Sequence, residues 1–413
     1  MKYNYEKGFR LPKIIVTIPV MDEDGYIQSC IQSIKDQTYK NFHVISCVNQ
    51  PDHWWKEYGK RDICENNLKA IEYLKDLDCP AVEVIDRSSP GRGFSPHEKG
   101  VGHARNLLFK KAIAQANNND LVMCLDADTI FEPGYFQSVV NSFLKKPNIV
   151  AHANPYYHNL TGDDSIDRAI LRYEIYMRLY VINLWNIGSP YAFTPLGSAI
   201  TIKVNSLKKI GKLAPKPAGE DFYLLQKLRK HGNINQYNDY YVFPSSRVSN
   251  RVPFGTGPAV GEGIKNKWNR YPIYPLKPFK LIKETYDLFP VLFRKDIPTP
   301  LDSFFEKIFG TKNIFEKLRQ NCRSEENFIR ACHMKFDGLR ILQFVKYYHL
   351  QNVTNDEDNL QQHIKYYFGD CEESDIKYFT LPFEFNNISI SLLQKLRNLL
   401  ADKELLYRKK DII

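Results

Sequence analysis

The chain has 413 residues, enough for two or three domains and at least one large core. Hydrophobic residues make up 43% and charged residues 25%, the balance of a soluble globular protein rather than a disordered or fibrous one. A formal net charge of +10 favours anionic partners, but no dense Lys/Arg tract carries interleaved aromatics, which excludes nucleic acid as the expected partner.

Aromatics reach 13%, a content that suits sugar-facing or lipid-facing surfaces as well as plain core packing. Eight cysteines include no Cys-x-x-Cys pair, so we expect reduced thiols and no zinc site. The polar stretch from Met1 to Pro12 lacks the apolar centre of a signal peptide, and no run of about 18 apolar residues exists. A cytoplasmic protein is expected. Arg408-Lys409-Lys410 is the one compact basic run near an end; it reads as a solvated tail, with peripheral membrane contact as the alternative.

In chain order, Lys13 to Val20 is a β-branched strand, and Ile27, Cys30, Ile31 and Ile34 come next at helical spacing. Phe42 to Val48 reads as a second strand, followed by a helix with Leu68, Ile71 and Leu74. Ala81 to Ile85 reads as a third strand, and Ala104, Leu107, Leu108 and Ala112 mark the helix after it. Leu121 to Leu125 is uniformly apolar, as strands buried on both faces are. Phe136, Val139, Val140, Phe143 and Leu144 give an amphipathic helix. Strand alternating with helix predicts an α/β fold with parallel strands and right-handed crossovers. Ligands then sit beyond the carboxyl ends of the strands, so the loops at 19–24, 49–53, 86–93 and 126–129 should share one cleft.

Beyond Ile149 the pattern changes. Residues 163–185 predict one long aromatic helix, 197–202 a short strand, and Leu224, Leu225 and Leu228 a helix after Gly219. Residues 253–263 hold four glycines and two prolines and read as a flexible loop. Pro272, Pro275 and Pro278 suggest a boundary, after which the chain reads as helical, for example over 325–349 and 389–406. We therefore expect one domain over 1–275 and a mainly helical region over 276–413.

Asp126-Ala127-Asp128 comes directly after the buried strand. Extended residues two apart point to one side, so both carboxylates could face one ion. Hard oxygen ligands of this kind suit Mg²⁺ or Mn²⁺, which also accept phosphate oxygens. The alternative is an Asp pair that only caps the next helix.

Context adds to this. The chain resembles the family 2 glycosyltransferases of the GT-A class over roughly residues 12–232. Ile18-Pro19-Val20-Met21-Asp22-Glu23 is similar to their opening Pro-x-x-Asn-Glu segment, and "IQSIKDQTY" over 31–39 matches the family's next stretch. Gly100 to Asn106 resembles the Arg–Asn helix start, "LVMCLDADTIFEPGYF" over 121–136 the metal-site segment, and Glu220-Asp221 the acceptor-side motif. Their joint occurrence in order is far more specific than any one of them.

The resemblance implies a GT-A nucleotide-diphospho-sugar transferase fold and a set of roles. Val20 and Glu23 would line the nucleoside pocket, and Arg105 would approach it or the diphosphate. Asp126 would contact ribose or metal through water, Asp128 would ligate the metal, and Asp221 would be the catalytic base. Glu220 is a second catalytic candidate, which could instead orient acceptor hydroxyls or hold the helix start. Pro19, Asp86 and Ala127 lie in the same loops and are grouped with the donor-binding residues. For Arg105 the bland reading is a surface helix residue. For Glu220 and Asp221 it is an acidic start favoured by the helix dipole.

Several departures matter. Asn49 stands where the family carries a base-reading Asp, and an amide both donates and accepts, so the base is left open. Asp22 replaces the usual Asn. No His lies between His231 and Cys322 to complete a metal site, which leaves phosphate and water as ligands. The Gln-x-x-Arg-Trp signature of processive members is absent, with Lys267-Trp268 at best a remnant. Arg247 and Arg251 are placed to hold a diphosphate while the glycine-rich segment closes over it; that segment's bland reading is a mobile connector. Trp54, Trp55 and Trp268 are candidates for stacking on sugar, with ordinary packing as the alternative.

The expected reaction is transfer of one sugar, with inversion, from a nucleotide-diphosphate sugar to the hydroxyl of a glycan or lipid-linked acceptor. A divalent metal would act on the leaving group. The weaker alternatives are a sugar nucleotidyltransferase, whose glycine-rich first loop is missing after Val20, and a binding module without turnover.

Overall fold

The computed structural model describes residues 10–77, 82–98, 100–213, 219–369, 377–379 and 382–410. Contacts divide the chain into two compact units. One holds residues up to Thr161, Pro195–Pro258 and the end of the chain from Arg408; the other holds Gly162–Thr194 and Ala259–Tyr407. The sequence suggested a single boundary near 275. The contacts instead draw the long helix after residue 161 into the second unit.

The first unit is built on a seven-stranded sheet. Its strands are β1 (Ile14–Val20), β2 (Phe42–Asn49), β3 (Val82–Arg87), β4 (Leu121–Cys124), β6 (Ile149–Ala153), β7 (Ile200–Lys203) and β8 (Asn233–Asn235), in the order β3-β2-β1-β4-β7-β6-β8. The pairs β1–β2, β2–β3, β1–β4 and β6–β8 are parallel, whereas β7 runs antiparallel to β4 and β6. The expected α/β class with a mostly parallel central sheet and flanking helices is what the structure shows. A short pair, β5 (Ile130–Phe131) with β9 (Val242–Phe243), lies apart from the main sheet.

The apolar runs explain this order. Every residue of β4 is buried, as a central strand covered on both faces must be. Ile14, Ile15, Val16 and Ile18 of β1 are fully buried, each worth roughly 1.5–3 kcal/mol relative to exposure. The helices α1 (Ile27–Lys35), α2 (Arg61–Asp76), α3 (Val101–Gln115) and α4 (Tyr135–Lys145) bury most of the apolar positions expected of them, such as Ile27, Cys30, Ile31 and Ile34 in α1, while Leu68, Leu107 and Leu144 are half-buried. Cys47 and Cys124 are buried thiols within strands. Cys79 and Cys371 lie outside the described residues, as does Ala81.

The terminal basic run is not a solvated tail. Arg408 is 2% exposed and donates from Nη1 to the carbonyls of Ala153 and Gln236 at 3.0 and 2.8 Å. These carbonyls supply the acceptors that let the guanidinium stay buried. Lys409 and Lys410 remain exposed.

In the second unit, α5 (Asp164–Asn186) is the long aromatic helix the sequence predicts. Asp163 caps it by accepting from the backbone N–H groups of Ser165 and Ile166. Glu174, wholly buried, meets Arg397 at 3.0 Å, and Arg178 meets Glu404 at 2.7 Å. Removing one partner of such a pair would strand a buried charge. Helices dominate the rest, and the stretch expected to be helical over 325–349 forms two, Glu325–Lys335 and Gly338–Gln351. They are broken where Asp337 caps the second by accepting from the N–H of Arg340. Among the described residues no helix is long and apolar enough to cross a membrane.

Candidate active site

The strand ends of the first unit bring the predicted loops together. Asn49, the last residue of β2, donates from Nδ2 to the carbonyls of Val20 (3.0 Å) and Cys47 (3.1 Å). Gln50 extends this support: its Oε1 accepts from Asn67 at 2.7 Å, and Asn67 Oδ1 accepts from the N–H of Asp22 at 2.8 Å. Asp22 takes a positive φ of 56°, a backbone state that Asn and Asp adopt more readily than most residues. Replacement of the family's Asn therefore keeps the loop's geometry. Asp86 ends up in β3 rather than in a loop, with its Oδ1 accepting from the N–H groups of Ser88 and Ser89, which hold its carboxyl below the usual range against the opposing effect of burial.

β4 stops at Cys124, and Ala127 and Asp128 lie in a turn closed by the N–H of Thr129 on the carbonyl of Asp126 at 3.2 Å. The extended geometry expected for Asp126 and Asp128 is thus absent, and each carboxylate meets a different cation. Asp126 Oδ1 accepts from Arg105 Nη2 at 2.7 Å. Asp128 Oδ2 accepts from Arg247 Nε and Nη2 at 3.3 and 3.2 Å, with Arg251 Nη2 3.8 Å away.

Arg105 is not a surface residue. On α3 its side chain is 3% exposed, and its Nε donates to Glu220 Oε1 at 2.8 Å. One guanidinium therefore ties the segment after β4 to the first residue of α6 (Glu220–His231), 115 positions along the chain. Gly197 makes room for it: a Cβ there would stand 2.3 Å from Arg105 Nη2. Asp221 is half-buried beside this pair, its Oδ1 accepting from the N–H of Phe222 at 2.7 Å. Burial, with the neighbouring Glu220 charge, pushes the Asp221 carboxyl far above the carboxylate range. Gly219 before it takes a positive φ of 75°. Residues 214–218 lie outside the described residues.

Arg247 and Arg251 also both contact Glu23, which is 4% exposed, and Arg251 Nη1 donates to the carbonyl of Met21 at 2.7 Å. Burial and the Asp128 charge raise the Glu23 carboxyl to about 7 despite the two arginines. The Arg247 guanidinium lies 4.0 Å over the ring of Tyr26.

The segment after these arginines is not a flexible loop. Thr256–Gly263 forms the helix α7, with Pro258 early in it, where a missing N–H is tolerated. Gly257 is there for close approach, since a Cβ would meet Ser249 Cβ at 2.5 Å.

Of the candidates, Asp126, Arg105, Glu220 and Asp221 form one group, and Glu23, Asp128, Arg247 and Arg251 a second. Pro19, Val20 and Asn49 adjoin at the strand ends, and Ala127 is buried within the turn. Gly197 and Tyr26 were missed. A lone glycine before a strand carries no sign of the side chain it admits, and one exposed tyrosine carries none of the arginine above it.

A model of the family described as glycosyltransferase like family 2 matches residues 12–242, more than half of the chain. The chain belongs to this family. Its match ends at the first residue of β9 and takes in every site residue above except Arg247 and Arg251. No match is found among curated proteins. Among solved structures, residues 1–349 of S. aureus TarS align at 11% identity, covering 96% of this chain and 90% of that one, with a TM-score of 0.40. The mannosyltransferase PcManGT from Pyrobaculum calidifontis, in complex with GDP-Man and Mn²⁺, aligns at 13% identity over 97% and 88%, with a TM-score of 0.33. Glucosyl-3-phosphoglycerate synthase from Mycobacterium tuberculosis, in complex with UDP, aligns at 16% identity over 64% and 86%, with a TM-score of 0.36. Similarity this distant transfers no substrate to this glycosyltransferase.

Proposed function

We propose that this glycosyltransferase moves one sugar at a time, with inversion, from a nucleotide-diphosphate donor to a glycan or lipid-linked acceptor hydroxyl, with a divalent metal bound. The observation that carries this reading is the Asp126–Arg105–Glu220 chain. A single buried cation fixes the donor-side carboxylate and the start of the helix that bears the base, so both halves of the reaction share one support.

The ion pairs engage only Oδ1 of Asp126 and Oδ2 of Asp128, which leaves each carboxylate a hard oxygen for Mn²⁺ or Mg²⁺. When bound, the metal supplies positive charge at the leaving diphosphate. Arg247 and Arg251 carry fixed positive charge and, once released from Asp128 and Glu23, can pair with phosphate oxygens. Asp221 takes the proton of the acceptor hydroxyl, and Glu220 keeps the helix start in place through Arg105.

Asn49 bears on the base. Both hydrogens of its amide are spent on backbone carbonyls, so toward a ligand it offers only its oxygen. It therefore works as an acceptor, as the family's Asp does, and favours a base with a ring N–H, uracil or guanine. The decisive assay is release of nucleoside diphosphate from a panel of sugar donors, with and without Mn²⁺ and acceptor. A binding module would bind the donor and release nothing under any of these conditions.

A further inference from the structure

The second unit contains a hollow of about 270 Å³ with an arginine at its wall. Arg172 is 1% exposed, and its guanidinium lies over the rings of Trp268 and Phe385, at 4.9 and 4.6 Å from their centroids. Its Nη2 donates to Asp356 Oδ2 at 2.6 Å. Its Nε and Nη1 are buried without a hydrogen-bond partner. An unmet buried donor costs roughly 1–3 kcal/mol, so such groups are normally matched by an acceptor that enters from outside when none is built in. Arg172 is one of the residues that line the hollow.

The charge around it limits what that acceptor is. Asp356, Glu357 and Glu384 line the same hollow against the one guanidinium, so a phosphate or carboxylate would meet net repulsion. Asp356 already accepts at both oxygens, from Arg172 Nη2 and from the N–H of Ile273, which leaves Glu357, Glu384 and the amide of Asn386 to take hydroxyl or N–H donors, while Arg172 calls for an uncharged oxygen. Trp268, half-buried, adds an aromatic wall. A ring that carries several hydroxyls, each able to donate and accept, meets all of these at once. The volume lies just below the roughly 300–1,000 Å³ of ordinary ligand pockets, which suits a single ring.

We propose that this hollow is a second carbohydrate site, which holds one neutral sugar residue of the acceptor glycan. It rests on the reading that the acceptor is a glycan, and uses Trp268 in a role that the transfer reaction does not.

Saturation-transfer NMR on the full chain tests it, with the methyl glycosides of glucose, galactose, mannose and N-acetylglucosamine, and methyl glucuronide as the anionic counter-probe. At least one neutral glycoside should receive saturation, and should keep it when excess UDP or GDP with Mn²⁺ is added. Glu384→Gln and Asn386→Ala, both at exposed positions, should each weaken that binding roughly tenfold, the loss of about one charge-assisted hydrogen bond. Nucleotide binding should be unchanged in both variants. The proposal is overturned if no neutral glycoside binds at millimolar concentration, if the variants bind as wild type does, or if the glucuronide binds equally well. Loss of saturation on adding nucleotide would place the glycoside in the donor site and would also overturn the proposal, whereas a chain that binds no nucleotide at all would count against the transferase reading and leave the sugar site standing.

Discussion

Arg247 holds Asp128 through two hydrogen bonds to one carboxylate oxygen, at 3.3 and 3.2 Å, so the residue expected to ligate metal is already paired with a cation. Arg251 stands 3.8 Å from the same oxygen, and both arginines also engage Glu23. A metal ion alone would have to enter beside two positive charges. A nucleoside diphosphate changes this balance, because it offers the arginines another anion.

Arg247→Ala should therefore bind Mn²⁺ more tightly than wild type without nucleotide, and bind UDP or GDP less tightly with Mn²⁺ present. A change of about tenfold in each is expected for one partly buried charge pair. Calorimetric titration in both orders of addition measures it. Asp128→Ala should remove the metal-dependent part of nucleotide affinity altogether. Mn²⁺ affinity unchanged by Arg247→Ala would show that the pair does not compete with metal.

Gly197→Ala should damage the site from behind. The new Cβ would lie 2.3 Å from Arg105 Nη2, and Arg105 cannot swing aside without leaving Asp126. Overpacking of this kind costs roughly 1–3 kcal/mol. Urea unfolding should show that loss, and donor affinity should fall with it because Asp126 loses its anchor. Unchanged stability and affinity together would mean that Arg105 has room the geometry does not suggest.

The base preference comes from Asn49. With Mn²⁺ present, UDP or GDP should raise the melting temperature, whereas ADP and CDP should do so little, since adenine and cytosine offer a ring nitrogen acceptor at the corresponding position. Equal shifts for all four would remove Asn49 as the residue that reads the base.

Much of this was legible in the chain. The runs at 14–20 and 121–125 marked strands because burial on both faces leaves few polar positions, Thr17 alone among them, and the short motifs gave the loops that meet at their ends. Long-range pairing was not legible. Arg105 kept a surface helix residue as its alternative reading because its partner Glu220 lies 115 positions away. Arg408 read as solvated because nothing nearby announces the carbonyls of Ala153 and Gln236. The four glycines of 253–263 suggested a loop, yet Gly257 serves close packing against Ser249 within a helix. The turn at Ala127–Asp128 depends on one backbone hydrogen bond, which no side-chain pattern encodes.

Asp221→Asn should abolish most turnover and leave donor and metal affinity nearly intact. A positioned base contributes roughly 10²–10⁴-fold in rate, and the amide cannot take the proton. The wild-type pH profile carries a further signature. Burial and the adjacent Glu220 raise the Asp221 carboxyl well above its usual range, so the base form appears only as pH climbs through that raised value. Turnover should therefore rise with pH around and above neutrality, and that limb should be missing from the small residual rate of Asp221→Asn. Stability should move the opposite way. Between the unfolded pKa near 4 and the raised folded one, the native state holds a proton that the unfolded chain has lost, so stability falls as pH rises through that window. Asn has no such proton, so the melting temperature of Asp221→Asn should decline less than that of wild type between roughly pH 5 and pH 8. Turnover close to wild type would make Glu220 the next base to test. An unchanged pH dependence of melting with turnover lost would instead keep Asp221 as the base, but with an ordinary carboxyl.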